Sequence, residues 1–284
     1  MVKKLIIAFV VYSIALLFIG RSLVFLPQVN FSSPEQKAAD LRKNVLQKFL
    51  KNERGSYSMY YKDLKTGEEF GIDENKILTG ASLNKLPLVA YLYSQAGKGK
   101  INLEDKIVIQ EDDIQDYGTG SLRYADPGGS YSLKTLTKLS LEQSDNTAAH
   151  VLGIRLDLAK VQRYADSLGL SSTNMLNNKT TARDTGKILD LIYARKVAGE
   201  SLTRELLDFM RDTDQEDRIP RDLSTTVAVY HKTADGTGFV HDVGIIDNGK
   251  TPFILAVLTS DIKDEEELKK VIGKIAKFIY DRTD

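Results

Sequence analysis

The sequence predicts an α+β fold: one five-stranded antiparallel sheet built from both chain ends, flanked by N- and C-terminal helices, with an all-helical lobe inserted between them. Three observations predict it. Strand-like alternation occurs twice early and three times late, the long middle of the chain reads as helical, and an amphipathic helix stands beside each group of strands.

Taken in order, Ala38, Leu41, Val45, Leu46, Phe49 and Leu50 recur at helical spacing after Pro34, with Ser33 available as a cap. Residues 56–64 then alternate like a strand, Lys65-Thr66-Gly67 reads as a turn, and 68–72 return as a hairpin partner. Near the other end, 226–232, 238–246 and 252–259 are three further strand-like runs separated by Gly-containing turns. Residues 268–280 close the chain as an amphipathic helix with Val271, Ile275, Phe278 and Ile279 on one face. The expected boundaries are 1–31 for an N-terminal segment and 32–284 for the folded domain. Its sheet part takes 32–80 and 222–284, and its helical lobe takes 81–221.

Composition narrows the chemistry. At 284 residues, 42% hydrophobic and 27% charged, the chain suits one globular domain rather than a disordered tail. Equal numbers of basic and acidic residues, 39 each, leave no overall field to gather nucleic acid, and no nucleic-acid partner is expected. The absence of cysteine removes disulfides, thiol nucleophiles and thiolate metal sites. Only His150, His231 and His241 supply imidazole, too few and too scattered for a ligand cluster, so no metal or organic cofactor is expected. A nucleophile and its base must come mostly from Ser, Thr, Lys, Asp, Glu or Tyr.

The balance of charge is uneven. The first 31 residues hold Lys3, Lys4 and Arg21 and no acid, so the rest carries 36 basic against 39 acidic residues. A helix over 5–26 would be about 33 Å long and could cross a bilayer with Arg21 snorkelling to the interface. The run is long for the apolar part of a signal peptide and no A-x-A-like cleavage site follows it. An uncleaved single-pass anchor is therefore expected, with the two lysines inside the cell and the domain outside a bacterial membrane; if the segment is cleaved, the domain is secreted.

Three short stretches carry the chemistry. Ser82-Leu83-Asn84-Lys85 leads into the apolar helix of Leu86, Leu88, Val89, Leu92 and Tyr93, and residues three apart share a helical face. An ordinary serine needs an adjacent base, and a lysine can be one only if burial or a second cation lowers its pKa. The helix N-terminus adds N–H groups that favour developing negative charge. The pattern by itself is weak: Ser260-Asp261-Ile262-Lys263 repeats it where the last strand meets a helix, and there the serine reads as a cap. Ser144-Asp145-Asn146 lies between two helical patterns, where Asp and Asn also make ordinary helix-to-helix turns. Lys232-Thr233-Ala234 ends a strand whose alternation puts Lys232 and Tyr230 on one face and His231 and Val229 on the other, before an expected turn at 235–238.

In this order and spacing the stretches resemble the S-x-x-K, S-D-N and K-T-G signature of the class A β-lactamases and their penicillin-binding relatives. Tyr117-Gly118-Thr119-Gly120-Ser121-Leu122, Tyr131 to Leu136 and His241-Asp242-Val243-Gly244-Ile245 are similar to further stretches of that family, and the likeness covers about 35–282. The resemblance implies that Ser82 is the acylated nucleophile, Lys85 its base, and Ser144 a proton relay to the leaving nitrogen. It implies that Asn146 orients Lys85 and substrate, and that Lys232 and Thr233 hold a substrate carboxylate. The backbone N–H groups of Ser82 and Asp235 would form the oxyanion hole.

Two departures from the pattern stand out. The family's loop after the helical lobe carries a glutamate that activates the deacylating water, and here 168–181 contains no acid. Thr181-Ala182-Arg183-Asp184 reads as a capping box, so Asp184 is expected to serve the helix end rather than replace that base. An acyl-enzyme would then form and hydrolyse slowly. Secondly, Ala234 replaces the motif's glycine and Asp235 follows it, where an added methyl could obstruct substrate and a carboxylate could compete with an acidic one.

The expected function is therefore a monomeric serine acyl-transfer hydrolase opening β-lactam rings. The alternative is a D-Ala-D-Ala carboxypeptidase or transpeptidase acting on peptidoglycan stem peptides, which the missing glutamate favours. A non-catalytic cell-wall or β-lactam binding module is a third reading, motivated by Ala234 and Asp235.

Overall fold

The computed structural model describes residues 9, 10, 12, 33–51 and 55–283, and the chain divides into two units, Met1–Ser33 and Pro34–Asp284. In the first, Phe9, Val10 and Tyr12 are helical and exposed. The rest of the expected anchor lies outside the described residues, among which no helix is long and apolar enough to cross a membrane.

The second unit is built on the expected sheet. Strands β1 (Ser56–Asp63), β2 (Glu69–Ile72), β7 (Ala228–Gly236), β8 (Phe239–Asp247) and β9 (Phe253–Ser260) pair throughout antiparallel in the order β2-β1-β9-β8-β7. Strand β9 lies in the middle and is buried on both faces, which is why 253–259 reads as a continuous apolar run rather than an alternating one. Its side chains still sort with period two: Leu255 and Val257 join one core, Ile254, Ala256 and Leu258 the other.

Those two cores make the layers. One holds α1 (Pro34–Val45) and the C-terminal helix (Glu265–Thr283) against the sheet through Ala38, Leu41, Val45, Leu268, Val271, Ile275 and Ile279, the apolar positions their periodicity predicts. The other packs the opposite face against α2 (Lys85–Gly97) and α6 (Ala182–Tyr193), with α3 (Leu133–Glu142), α4 (Asn146–Leu156), α5 (Leu158–Ser167) and α7 (Glu200–Asp208) completing the helical part. That part is not purely helical. Two short ribbons accompany it, β4 (Lys106–Val108) with β5 (Ser130–Ser132) and β3 (Leu78–Thr79) with β6 (Lys179–Thr180). Strands of two or three residues are too short for a periodicity to register in sequence.

Two local expectations change. Strand β7 continues four residues past Lys232, with Asp235 opposite Val240 and Gly236 opposite Phe239, so the turn shrinks to Thr237-Gly238 and Asp235 stands in the sheet. Gly238 at φ +80 supplies the left-handed conformation that so tight a turn needs. At the far end of β9, Ser260 does not cap the C-terminal helix: its hydroxyl goes to Asp261, and Asp264 accepts the N–H of Glu267 instead.

Candidate active site

Strand β7 is the last strand of the sheet, and the turn Ala81–Asn84 packs along it. Ser82 sits in that turn, directly before α2. Together with the α3–α4 turn they enclose a pocket of about 400 Å³. Ser82, Lys85, Ser144, Asn146, Thr233, Ala234 and Asp235 line it, so all but one of the site residues named from sequence share one cavity. Lys232, the exception, is buried beneath it and reaches Ser144.

The backbone earns this convergence. Ser144 adopts φ +54 at the α3–α4 corner, and Asp145 is wholly buried, one carboxylate oxygen capping α4 at Ala148 N and the other accepting Leu122 N. The middle residue of Ser-Asp-Asn is thus structural, and it aims its two neighbours inward. Gly118 (φ +75) and Gly120 (φ +113) let the loop ahead of α3 press on this corner. A Cβ at Gly118 would lie 2.3 Å from Asn146 Nδ2, and one at Gly120 would lie 2.2 Å from an Asp145 carboxylate oxygen.

Lys85 is held from several sides. Its Nζ donates to Ser144 O at 2.5 Å and to Asn146 Oδ1 at 2.9 Å, with Ser144 Oγ at 3.3 Å. None of these contacts is to Ser82. Burial brings the amine down to about 7 against the opposing pull of the Asp145 carboxylate. In the neutral form its two hydrogens match the two shorter bonds, and the lone pair is left over. Lys232 donates to Ser144 Oγ at 2.9 Å and to Thr233 O at 3.0 Å. Burial first, and then the Lys85 charge, push it well below the ordinary lysine value. The Ser144 hydroxyl, between two amines, has its own hydrogen free to turn toward the pocket.

The outward face of β7 meets a segment that sequence reading passed over, Arg211 to Arg218. Thr233 Oγ1 donates to Gln215 Oε1 at 2.6 Å, and Asp235 Oδ2 accepts from Arg218 Nη2 at 2.7 Å. Arg218 is only 1% exposed and also donates to Asp217 and to His241 O. Ala234 points the other way into the helical-side core and is 3% exposed, so its methyl is spent mostly on packing. RDTDQEDR reads as a solvated charge run, and nothing in its pattern marks Gln215 as a pocket residue or Arg218 as a buried partner of Asp235.

Beneath this segment His231 donates from Nδ1 to Asp242 Oδ1 at 2.9 Å, and its Nε2 lies 3.1 Å from Glu216 Oε1. The two carboxylates outweigh the cost of burial and raise the imidazole to about 9. A base whose folded value exceeds its ordinary 6.5 stabilises the fold below pH 6.5 and loses that contribution as pH climbs through 9. Lys85 and Lys232, both lowered, act with the opposite sign, so the comparison must be with a variant. Urea unfolding should show His231→Gln losing about 3 kcal/mol relative to the parent at pH 6, with the gap closing by pH 9 to 10. A gap independent of pH would mean that His231 is buried neutral.

On the side facing the sheet's pocket end, the acid-free loop is pinned by β3–β6 and by Asn84 Nδ2 donating to Asn178 Oδ1 at 2.9 Å. Asn178, at φ +51, lines the pocket, a residue not singled out from sequence. Thr181 caps α6 by accepting Asp184 N, but the expected capping box is only half made, because the Asp184 carboxylate does not return to the helix end. The Asp184 carboxylate turns to Ser172 N and Thr173 Oγ1 and does not line the pocket. Asp235 is the only carboxylate among the lining residues. No group of three or more metal-ligating side chains occurs among the described residues.

An α+β domain that sets a helix-start serine and two buried lysines around one pocket is of the active-site serine hydrolase type. The chain belongs to the β-lactamase enzyme family, whose model matches residues 41–283. It is similar to β-lactamase VEB-1 of Pseudomonas aeruginosa, 24% identical over 230 residues covering 70% of this chain and 76% of that one. A second relative is β-lactamase BRO-1 of Moraxella catarrhalis, 21% identical over 217 residues covering 68% and 69%. Among solved structures the fold resembles a β-lactamase from Sphaerobacter thermophilus, at TM-score 0.79 and 24% identity over 86% of this chain and 97% of that one. It equally resembles a leucine-to-glutamate variant of PBP-A captured as an acyl-enzyme with penicillin G, at TM-score 0.80 and 22% identity over 88% and 98%.

Proposed function

We propose that this protein is a serine acyl-transfer enzyme that β-lactams acylate at Ser82, and that the resulting ester is hydrolysed slowly. The observation that carries it is Lys85, a buried amine near pKa 7 in the same cavity as Ser82. In the reading, Lys85 takes the Ser82 proton, Ser144 hands a proton to the leaving nitrogen, and Asn146 keeps Lys85 and the substrate amide in place. The N–H groups of Ser82 and Asp235 receive the oxyanion.

Slow deacylation follows from what lines the pocket. Water attacks an ester slowly without a base, and the lone lining carboxylate, Asp235, is engaged by Arg218 on the strand side. The same feature supports a second reading, a D-Ala-D-Ala carboxypeptidase or transpeptidase in which an amine or water bound with the peptide accepts the acyl group. A fluorescent penicillin should give an adduct that persists for many minutes, while a chromogenic cephalosporin is consumed at about one equivalent per protein. Rapid release of label with catalytic consumption would reject slow deacylation, and no adduct at any concentration would reject acyl transfer itself. We further propose that the domain stands outside the cytoplasmic membrane on its N-terminal segment; a full-length protein recovered soluble with a processed N-terminus would refute this.

A further inference from the structure

The groups that sequence resemblance assigns to a substrate carboxylate are engaged inside the protein. Lys232 Nζ, buried beneath the cavity, donates to Ser144 Oγ and Thr233 O. The Thr233 hydroxyl hydrogen goes to Gln215 Oε1. Arg218 distributes its nitrogens among Asp217, His241 O and Asp235, and at 1% exposed it offers no donor to the cavity.

Beside Thr233 the cavity presents a carboxylate. Asp235 is exposed and lines the pocket, one oxygen on Arg218 and the other with no further protein partner among the described residues. Gln215, also lining it, stands beside Thr233. An incoming carboxylate would face the Asp235 charge, whereas an amide or ammonium would find an acceptor waiting.

We propose that Asp235, braced by Arg218, is a specificity determinant that rejects a carboxylate beside Lys232 and selects acyl donors whose leaving group is a carboxamide or amine at that position. The inference rests on the acyl-transfer reading of Ser82 and names its substrate class: an amidated or amine-bearing peptide-type donor in preference to a free C-terminal acid. In the reaction, Ser82 Oγ bonds to the donor carbonyl carbon, the bond to the leaving group breaks, and the hydroxyl proton departs on that group.

The test uses two N-benzoyl-D-alanyl thioesters identical except that the thiol leaving group ends in a carboxylate (thioglycolate) or a primary carboxamide (thioglycolamide). Thiol release and intact mass give the acylation rate of the full-length protein with each. The carboxamide should react at least about tenfold faster than the carboxylate, a difference typical of one like-charge contact. Asp235→Asn should bring the two rates together. Asp235→Ser, which also frees one arm of Arg218, should reverse the order and speed penicillin labelling of Ser82 by about tenfold. Both variants leave Asp217 and His241 O on the guanidinium, and the readout is a ratio of two donors, which a general loss of folded protein does not move. Equal rates in the parent, a carboxylate preference, or a ratio unmoved by both variants overturns the proposal while leaving acyl transfer intact. No adduct from either thioester overturns acyl transfer and the proposal together.

Discussion

Ser82→Ala should fold like the parent and form no covalent adduct with penicillin, at any concentration or time. The side chain is partly exposed at the pocket wall rather than in the core, so loss of its hydroxyl opens no significant cavity. What disappears is the only hydroxyl placed at the start of α2, where the neighbouring N–H groups favour a developing oxyanion. Thr119, Ser144 and Thr233 also bring hydroxyls to the pocket, but Thr119 donates to Ser144 O, Thr233 donates to Gln215, and the Ser144 oxygen accepts from both lysines. Intact-mass spectrometry after exposure to penicillin reads the outcome directly. An adduct of unchanged mass and yield in the variant would place the nucleophile elsewhere.

Lys85→Ala should slow acylation by about 10² to 10⁴, the usual contribution of a positioned base. Lys263→Ala, in the repeat of the same motif, should leave the rate unaltered, because Lys263 is exposed and its Ser260 ends β9 outside the pocket. The pH profile separates a base from a structural amine. Below pH 7 the Lys85 amine is protonated and its three hydrogens face three acceptors; above it the lone pair is free. Acylation should therefore rise with pH and level off above about 7. Lys85→Arg keeps a charge that never dissociates in this range, and it should be inactive across it. A rate that falls as pH rises through 7 would exclude the neutral amine as base.

Much of this architecture was legible in the chain. Helical spacing in 38–50 and 268–280 and alternation in five runs are consequences of how helices and strands bury one face, and burial followed them at Val271, Ile275 and Ile279, with Phe278 partly buried against the same core. The site was half legible. Serine and lysine three apart on an apolar helix, and a Ser-Asp-Asn corner, are local patterns whose chemistry the backbone can deliver without distant help.

What lay beyond the sequence was partnership. That Asp235 belongs to a strand follows from pairing with Val240, a contact made by β8 and not by local propensity. That its carboxylate is braced depends on Arg218, and that Thr233 is engaged depends on Gln215, both on an irregular segment with no period to read. Asn178 enters the pocket only because β3 pairs with β6. Composition and periodicity determined the layers and the absence of thiol chemistry, and the motif resemblance pointed to the hydroxyl and amine, because those depend on residue type and near neighbours. Only the folded chain decided the lowered pKa of Lys85 and the internal partners of Thr233 and Asp235. Both arise from desolvation and from charges that meet across the sheet, energies that exist only once remote residues are brought within a few ångströms.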